Sequence, residues 1–472
     1  MVLFPFLGAF VLAATAVHVA GQQEGFLSID CGLDARFSRR KDTYTNIAYI
    51  SDSPYVDGGE NHRVAADQES STNDVSLLTL RSFPSGLRNC YTLPTESGAK
   101  YLVRMEFFHG RYDGKSSPLS LQFDLHLGTN YWDTVTLQDT TDDWWSEAIF
   151  VAWSSWVPVC LLNTGTGTPF VNTVELRPLG ASLYPDVTID ESISMYRRAN
   201  MGGNFTLFPD DPYDRYWGSE TSSSWANLST KKHIQQDDNS VAVPVLVLQA
   251  AVSTINNVIV LNVGTWRVYK RSFEFKFFLH FTDIQNTQLR RFDLYVNDEQ
   301  WLQTYSPPYL DISYIYSSAW NKTTDGKYNI TLAASPTSVL LPMINAYEVY
   351  NNIPHDTPRT STKDFDTMMA IKLEYGVKKN WMGDPCFPAK YRWNGVNCSD
   401  LTNNITRIIS LDLSNSNLTG LVSDNFTLLT ELQLLDLSRN NLNGPIPYSL
   451  CKRNARSLVV RYESEEDMCK KQ

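Results

Sequence analysis

One short pattern near the end of the chain occurs twice and constrains its fold more than any other feature. Residues 411–420 read LDLSNSNLTG, and residues 435–444, twenty-four positions later, read LDLSRNNLNG. Leucines at matching places in the two copies can turn inward from one short strand and its bend, so that each coil buries the leucines of the next. The pattern predicts a short solenoid of stacked coils.

The second copy carries the complete frame L-x-L-x-x-N-x-L-x-G-x-I-P of a leucine-rich repeat, whereas the first copy has Ser416 where the second has Asn440. We expect the Asn440 side chain to bond the backbone of its turn. Solenoids usually need about three or more repeats to be stable alone. Because the chain offers two copies and a doubtful remnant at residues 457–462, we expect this array to lean on an upstream part of the chain.

The first residues indicate an extracellular location. Residues 2–19 are apolar and uncharged, and small residues follow, so residues 1–21 are predicted to be a signal peptide, with an uncleaved anchor as the alternative. No later segment has the roughly 18 apolar residues of a membrane span. We therefore expect a secreted protein with no membrane span in this chain, and the net charge of −11 argues against a nucleic-acid partner.

Sequons for N-glycosylation support the same compartment. The chain has eight N-x-Ser/Thr sequons, and the one at Asn397 is blocked if the adjacent Cys398 forms a disulfide. The other seven are predicted to be glycosylated: Asn204, Asn227, Asn321, Asn329, Asn404, Asn417 and Asn425.

Seven cysteines are compatible with a few disulfides in an oxidising compartment and leave at least one thiol unpaired within the chain. A disulfide between Cys386 and Cys398 would close a lid over the first leucine coil, with Trp393 as its apolar plug. Cys451 and Cys469 are candidates to close the far end. The remaining three cysteines allow three pairings that the sequence does not rank: Cys31, Cys90 and Cys160.

Most of the chain between the signal peptide and the lid is rich in aromatic and β-branched residues, in short alternating runs typical of a β-sandwich. Residues 101–108 and 119–127 look like two neighbouring strands. The pair returns at residues 273–278 and 291–296, and similar closing strands follow at residues 172–177 and 345–350. The fold class is therefore predicted to be mainly β, with two tandem β-sandwich domains before the leucine coils.

These patterns divide the chain into segments. A hinge is expected at residues 201–204, and a helix at residues 364–375 is expected to end at Gly376 and to pack beneath the solenoid. The predicted segments are the signal peptide (1–21), the first sandwich (25–198), the second sandwich (205–352), a linker (353–363), the helix and lid (364–400), the leucine-rich repeats (401–462) and a C-terminal tail (463–472).

Five motifs carry a family resemblance: FLSIDCG at 26–32, RSFPSGLRNCY at 81–91, VCLLNTG at 159–165, FPDDPYDRYW at 208–217 and GDPC at 383–386. In this order, and with the repeat, they resemble plant receptor-like kinases that have a malectin-like ectodomain followed by leucine-rich repeats, the class that includes symbiosis receptor kinases. The resemblance implies two malectin-like domains, a Gly-Asp-Pro-Cys junction, a few leucine-rich repeats, a transmembrane helix and a cytoplasmic Ser/Thr kinase.

This chain has no glycine-rich loop followed by lysine, no His-Arg-Asp and no Asp-Phe-Gly, so it lacks the residues for phosphoryl transfer. We predict a non-enzymatic extracellular recognition region that needs no cofactor and no metal. The alternatives are a secreted decoy and a carbohydrate-binding, lectin-like protein.

A wall-acting hydrolase is a further hypothesis, because Asp142-Asp143-Trp144-Trp145 resembles a glycosidase acid pair beside a sugar platform. A loop that enters a strand whose tryptophans lie in the core explains the same residues better. The acidic pair at residues 210–211 is explained by Asp-Pro turn chemistry.

The resemblance also suggests where a ligand binds, because malectin itself is a carbohydrate-binding lectin. The loop at residues 110–114 joins two predicted strands, and Tyr112 and Asp113 are its candidate contact residues. A hairpin loop with Asp-Gly turn residues is the simpler interpretation. The expected partner is an extracellular peptide, a glycan or another receptor kinase ectodomain.

Overall fold

The structure is a computed structural model that describes residues 24–72, 74–236, 241–267, 274–323, 325–400, 405–454 and 457–462. The predicted signal peptide, the sequon at Asn404, Cys469 and the predicted tail lie outside these residues. Among the helices that are described, none has the length and apolar character needed to cross a membrane.

The fold is mainly β, as predicted, and its strands form three units along the chain. The N-terminal unit contains β1 (Leu27–Asp30), β2 (Arg40–Lys41), β3 (Ala48–Ser51), β4 (Glu60–Arg63), β5 (Thr79–Ser82), β6 (Arg88–Pro94), β7 (Lys100–Phe108), β8 (Leu121–Leu127), β9 (Asn130–Leu137), β10 (Asp143–Val151), β11 (Trp156–Thr166), β12 (Phe170–Val171), β13 (Thr173–Leu179) and β14 (Ser192–Met201).

The central unit contains β15 (Gly218–Glu220), β16 (Trp225–Ser229), the helix α1 (Val245–Leu248), β17 (Ala250–Thr254), β18 (Val260–Arg267), β19 (Glu274–Phe281), β20 (Phe292–Val296), β21 (Glu299–Tyr305), β22 (Ser313–Tyr316), β23 (Asn321–Lys322), β24 (Lys327–Ala334), β25 (Met343–Ile344) and β26 (Ala346–Ile353). The C-terminal unit contains α2 (Thr362–Tyr375), β27 (Val396–Cys398), β28 (Ile408–Asp412), β29 (Thr419–Leu421), β30 (Leu434–Asp436), β31 (Asn441–Asn443), α3 (Tyr448–Asn454) and β32 (Val459–Arg461). Short 3-10 helices lie at Ala35–Phe37, Glu69–Ser71, Val75–Leu78, Ala389–Tyr391 and Asp424–Leu428.

A single 12-stranded sheet runs through the N-terminal and central units in the order β2-β3-β1-β13-β7-β10-β14-β26-β19-β22, with β15 and β23 beside it. The predicted hinge at residues 201–204 is therefore bonded at its start. The backbone N–H of Met201 donates to Asn345 O at 2.9 Å, and that of Gly202 donates to Glu220 O at 2.8 Å. The two units meet through a shared sheet rather than through a free linker.

Each unit closes its core with smaller sheets laid over the large one. A four-stranded sheet (β6-β11-β8-β9) and a three-stranded sheet (β12-β5-β4) cover the N-terminal part, and β18-β24-β20-β21 with β16-β17-β25 cover the central part in the matching order. The two predicted neighbouring strands, β7 and β8, follow each other along the chain but belong to opposite sheets. Their side chains meet across the core instead, with the rings of Phe107 and Phe123 at 5.5 Å.

A buried asparagine performs the same task in both units. Asn172 accepts a hydrogen bond from Phe108 N at 2.7 Å and donates to Leu77 O and Thr79 O at 2.9 and 3.0 Å. Asn345 likewise accepts from Thr282 N at 2.7 Å and donates to the carbonyl oxygens of residues 248 and 250, both at 2.8 Å. Each side chain satisfies three backbone groups that would otherwise be buried without partners.

The C-terminal unit contains stacked parallel strands. Leu411 of β28 lies beside Leu435 of β30, and Leu435 lies beside Val460 of β32, so the doubtful remnant at residues 457–462 supplies a third rung. The side chain of Asn440 accepts from Ser416 N at 2.9 Å, which is the backbone bonding that the sequence predicts. The helix α2 ends at Gly376 in the left-handed conformation at φ 58° and packs on the leucine core, also as predicted.

The coil leans on the N-terminal unit. Arg88 is buried and donates to the carbonyl oxygens of Phe387 and Tyr391, both at 2.8 Å, and to those of Met382 and Asp384. Burial lowers the pKa of Arg88 to about 10. One guanidinium thus bonds the loop that precedes the coil at four points, and this contact provides the upstream support that the short array requires.

Candidate functional site

A large cleft opens where two strands of the shared sheet diverge. β10 and β14 pair only at Ala148 with Ser194 and at Ile149 with Ile193. A β-bulge then lies between Met195 and Arg197, where β14 continues its pairing with β26. A bulge bends and twists its strand, so β14 leaves β10, and a cleft of about 760 Å³ lies between them.

Aromatic side chains from both units line this cleft. Trp145 is 41% exposed, and Trp144, Tyr131, Tyr196 and Tyr216 are half-buried around it. Exposed rings in a concave site offer apolar contact area at little cost in conformational entropy. The cleft is therefore suited to bind a ligand with apolar or ring-shaped parts.

The floor of the cleft is a buried ionic network. Arg198 donates to Glu147 at 2.7 Å, to Glu348 at 2.9 Å and to the Tyr350 hydroxyl at 2.8 Å. Burial alone would raise the pKa of Glu348, but the hydrogen bond from His280 and the charge of Arg198 hold it below its usual range. Strands from both units are thereby cross-linked beneath the cleft.

Tyr216 is held in place on this floor. Its hydroxyl donates to Glu106 at 2.9 Å, and the Arg104 guanidinium carbon lies 3.5 Å from its ring centroid. The same arginine bonds Glu175 and Asp214, so the cation behind the ring is itself fixed. The Trp145 ring meets Tyr216 edge-on at 6.3 Å, and this pair forms a fixed aromatic corner.

Charged groups of both signs stand at the rim. Arg197 donates to Glu220 at 3.0 Å, and Glu220 also accepts from the Tyr347 hydroxyl at 2.8 Å. Asp143 and Arg267 are exposed and line the same cleft. This mixture favours a ligand that carries hydrogen-bond donors and acceptors over one that carries a single large charge.

The prediction that the tryptophans at residues 144 and 145 lie in the core is wrong. The segment at residues 142–145 does enter a strand, but Trp145 is exposed in the cleft instead of lying in the core, and Trp144 only packs against the core surface. Asp142 accepts from Gln138 N at 2.9 Å and Asp139 N at 2.8 Å. Because this carboxylate caps its own turn, the arrangement gives no support to a glycosidase acid pair.

The acidic pair of the FPDDPYDRYW motif also does more than form a turn. Asp211 is buried and accepts hydrogen bonds from Arg215 Nε at 2.9 Å and from Trp217 Nε1 at 2.7 Å. Arg215 in turn donates to the Tyr184 hydroxyl at 2.8 Å. The motif therefore fixes the segment that carries Tyr216 under the cleft.

The sequence-predicted contact residues, Tyr112 and Asp113, lie at a second, smaller cavity of about 430 Å³ in the N-terminal unit. The Tyr112 ring packs against His109 at 4.9 Å and Phe170 at 5.5 Å. Asp113 accepts from Lys115 N at 3.1 Å and pairs with the Lys115 ammonium at 2.7 Å. Burial opposes the shift, but these hydrogen bonds within the loop lower the pKa of Asp113. They are the hydrogen bonds expected of a turn.

The corresponding loop of the central unit is built differently. There Arg290 is buried and bonds Asp283 at 3.0 Å and Gln285 at 2.7 Å, and it also contacts the carbonyl oxygen of Leu341. This arginine joins two loops of the central unit. The loop end of the N-terminal unit is open to the cavity, whereas the corresponding end of the central unit holds a buried arginine.

The cysteines resolve the pairing that the sequence left open. Cys90 and Cys160 form a disulfide, and Cys31 is a buried free thiol. Cys386 and Cys398 are bonded as expected, and Trp393 lies buried behind them, stacked on Trp381 at 5.0 Å. Cys451 is disulfide-bonded, and its predicted partner Cys469 lies outside the described residues.

The sequon asparagines lie at different depths. Of the seven predicted glycosylation sites, Asn204, Asn227 and Asn417 are exposed, and Asn321, Asn329 and Asn425 are half-buried. Asn321 donates to Phe275 O at 3.2 Å and Asn425 donates to Glu374 at 2.9 Å. Glycosylation at each of them stays a prediction.

The described residues contain no cluster of three or more His, Cys, Asp or Glu side chains suited to hold a metal ion. Of the two concave surfaces described, the cleft between β10 and β14, at about 760 Å³, is larger than the cavity beside Tyr112, at about 430 Å³.

Comparisons with known proteins agree with this architecture. A family model of the malectin-like domain matches residues 29–352. A probable LRR receptor-like serine/threonine-protein kinase of Arabidopsis thaliana is 36% identical over 435 residues, which cover 90% of this chain and 50% of the relative. The LRR receptor-like serine/threonine-protein kinase IOS1 of the same plant is 34% identical over 438 residues, which cover 90% of this chain and 47% of the relative. The chain spans about half the length of the curated relatives that it matches.

Solved structures share the fold at low sequence identity. The ANX2 ectodomain from Arabidopsis thaliana superposes with a TM-score of 0.58 at 14% identity, covering 69% of this chain and 96% of that one. A structure of the plant peptide RALF23 in complex with FER and LLG2 gives 0.56 at 17% identity, covering 71% of this chain and 97% of that chain.

Proposed function

The chain belongs to the malectin-like family, and from that premise we propose that it is a non-enzymatic, extracellular ligand-recognition region of a plant receptor-like protein. Its partner would be a peptide, a glycan or another receptor kinase ectodomain. The relatives are named as receptor-like kinases, and one fold neighbour is described in complex with a peptide and a further protein. These similarities support recognition and leave the ligand to experiment.

We also propose how the mainly β fold is divided into domains. We assign residues 25–198 and 205–352 to two tandem malectin-like domains, on the grounds of their matching strand order and their matching asparagines. We assign residues 401–462 to leucine-rich repeats, on the grounds of the two aligned copies. The extracellular location rests on the predicted signal peptide, the sequons and the disulfides.

One observation carries the choice of site: the cleft between β10 and β14 combines exposed aromatic rings with a fixed floor built from both units. A rigid site loses little entropy when a ligand binds. The same floor contains strands of both units, so a ligand here would contact both of them at once.

A binding screen tests the proposal. Secreted protein is exposed to arrays of extracellular plant peptides, cell-wall oligosaccharides and receptor ectodomains, and each binder is measured again with the Trp145→Ala variant. We expect at least one class to bind and to lose roughly tenfold or more in affinity when the exposed ring is removed. The matched control is Trp301→Ala, because Trp301 is 37% exposed and lies outside the cleft. Absence of any binder, or binders indifferent to Trp145→Ala, would contradict the proposal.

The smaller cavity beside Tyr112 and Asp113 is proposed as a second ligand surface, and the open loop end supports it. Its chemistry suits a sugar, because the Tyr112 ring, several hydroxyl groups and the Asp113 carboxylate line it. Oligosaccharide binding that is lost in Tyr112→Ala and retained in Trp145→Ala would assign the sugar to this cavity. The reverse pattern would remove Tyr112 and Asp113 as contact residues.

A further inference from the structure

The cleft between β10 and β14 exposes strand edges within a sheet. β7 pairs with β10 along all of residues 143–151, but on its other side β10 pairs with β14 only at residues 148–149. In an antiparallel ladder, alternate residues direct their backbone N–H and C=O groups to opposite sides. Asp143, Trp144 and Trp145 line the cleft, whereas Ser146 and Glu147 are buried. The backbone groups that face the cleft without a strand partner are therefore those of alternate residues within 143–145.

The opposite wall is formed by β14. Residues 195–198 of β14 pair with β26 on one side. On the cleft side, the pairing with β10 ends at residue 194, and the pairing with β15 begins at residue 199. The edge of β10 therefore faces β14 across the cleft without a ladder between the two strands.

We propose that the ligand of this cleft is an extended peptide segment that adds a strand to the edge of β10 at residues 143–145. The inference rests on the proposed recognition function and names its ligand class. Exposed edges are templates for added strands, and recognition by strand addition takes affinity from the main chain and specificity from side-chain pockets. A glycan has no regular row of amide donors and acceptors to match this edge.

The side chains around the edge fit the same ligand. Alternate side chains of an added strand point to opposite faces. One face of β10 offers Trp145 with Tyr216 behind it, and the other offers Trp144. At the rim, Arg197 and Glu220 present opposite charges. An extended peptide with aromatic or aliphatic residues inside the cleft and polar residues at the rim is complementary to this arrangement.

The floor explains why the edge stays open in the absence of a ligand. The Arg198 bond to Glu147 at 2.7 Å holds the two strands at a fixed separation, and both side chains are fully buried. Collapse of the cleft would require this pair to move together with the partners of Arg198 in β26. The edge is therefore preorganised for an added strand.

The test uses synthetic hexapeptides. A random library without Cys or Pro is selected against the whole secreted protein, and the selected sequences are compared with copies that are N-methylated at alternate residues. N-methylation removes backbone donors and leaves the side chains unchanged. We expect a loss of roughly tenfold or more in affinity on N-methylation in one register, and protection of the cleft-facing amides of residues 143–145 from hydrogen exchange.

Controls separate this inference from the function on which it rests. Trp145→Ala should weaken the selected peptides roughly tenfold, and Trp301→Ala by less than about twofold. Peptides that bind equally well when N-methylated in both registers, or that protect other segments, overturn the inference. Cellulose- or pectin-derived oligosaccharides that bind the cleft while no hexapeptide does would overturn it too, yet leave the proposed recognition function standing. That function fails if neither probe nor any receptor ectodomain binds.

Discussion

The two sides of the shared strand β14 differ sharply. Towards β26 it forms a ladder that runs from Ser192 to Asn200, whereas towards β10 it pairs at two residues and then departs. The sealed side joins the N-terminal and central units into one sheet, and the open side leaves a cleft with aromatic walls. One strand thus supplies both rigidity and a place for a ligand, because β14 keeps its ladder with β26 across the bulge and loses its pairing with β10 there.

The largest loss of stability is expected when the buried ionic network around Arg198 is broken. Arg198→Ala would leave Glu147 and Glu348 buried without their shared cation, which should lower the free energy of unfolding by about 3 to 5 kcal/mol. Chemical denaturation measures the change. The neighbouring Arg197→Ala is the matched control, since Arg197 is exposed and its ion pair with Glu220 should be worth about 1 kcal/mol or less. Equal effects for the two arginines would contradict a structural difference between their sites.

The sealed side should also respond to acid. The pKa of Glu348 is lower in the folded protein than in the unfolded chain, so its contribution to stability is present above the unfolded value near 4.5 and is lost as the pH falls below it. The loss should be on the order of 2 kcal/mol. Unfolding free energies measured from pH 6 to pH 3 should therefore fall less steeply in Glu348→Gln than in the wild type. Identical slopes would mean that Glu348 does not carry this dependence.

A substitution on the open side should leave the stability of the fold nearly unchanged but should weaken ligand binding. Trp145 is 41% exposed, so Trp145→Ala should change the unfolding free energy by about 1 kcal/mol or less. Thermal denaturation beside a binding assay separates the two effects. A large loss of stability would show that Trp145 is a core residue, as the sequence first suggested, and would weaken the cleft as a ligand site.

The smallest change in stability is expected at the cavity beside Tyr112 and Asp113. Asp113→Asn keeps the shape of the loop and removes a charge that pairs with the partly exposed Lys115, so stability should change by less than about 0.5 kcal/mol. Denaturation curves of the variant and the wild type should nearly superimpose. A larger loss would indicate that Asp113 serves the turn alone and would count against its role as a contact residue.

Local patterns in the sequence predicted the parts of the fold that depend on local chemistry. The buried leucines of the two copies, the bonding of Asn440 and the end of α2 at Gly376 follow from periodicity and from the needs of a turn. The duplicated strands were also visible, and the matching roles of Asn172 and Asn345 give a physical reason for that duplication.

The cleft could not be predicted, because alternation in a strand reveals which face is buried and not which strand lies beside it. β7 and β8 have the pattern of neighbours yet face each other across the core. Trp145 stands in an aromatic strand that reads as core, and only the divergence of β14 exposes it. A signal was available at β14, where Arg197 and Arg198 are consecutive charges within a strand and one of them is buried.

The most direct test of the account is amide hydrogen exchange in the free protein, resolved to single residues along β10 and β14. If the strands part as described, the cleft-facing amides of residues 143–145 should exchange roughly a hundredfold faster than those of the paired residues 148–149 and of the β14–β26 ladder. Uniform slow exchange along the whole of β10 would mean that the sheet is closed there, and it would contradict both the cleft and the strand-adding ligand proposed for it.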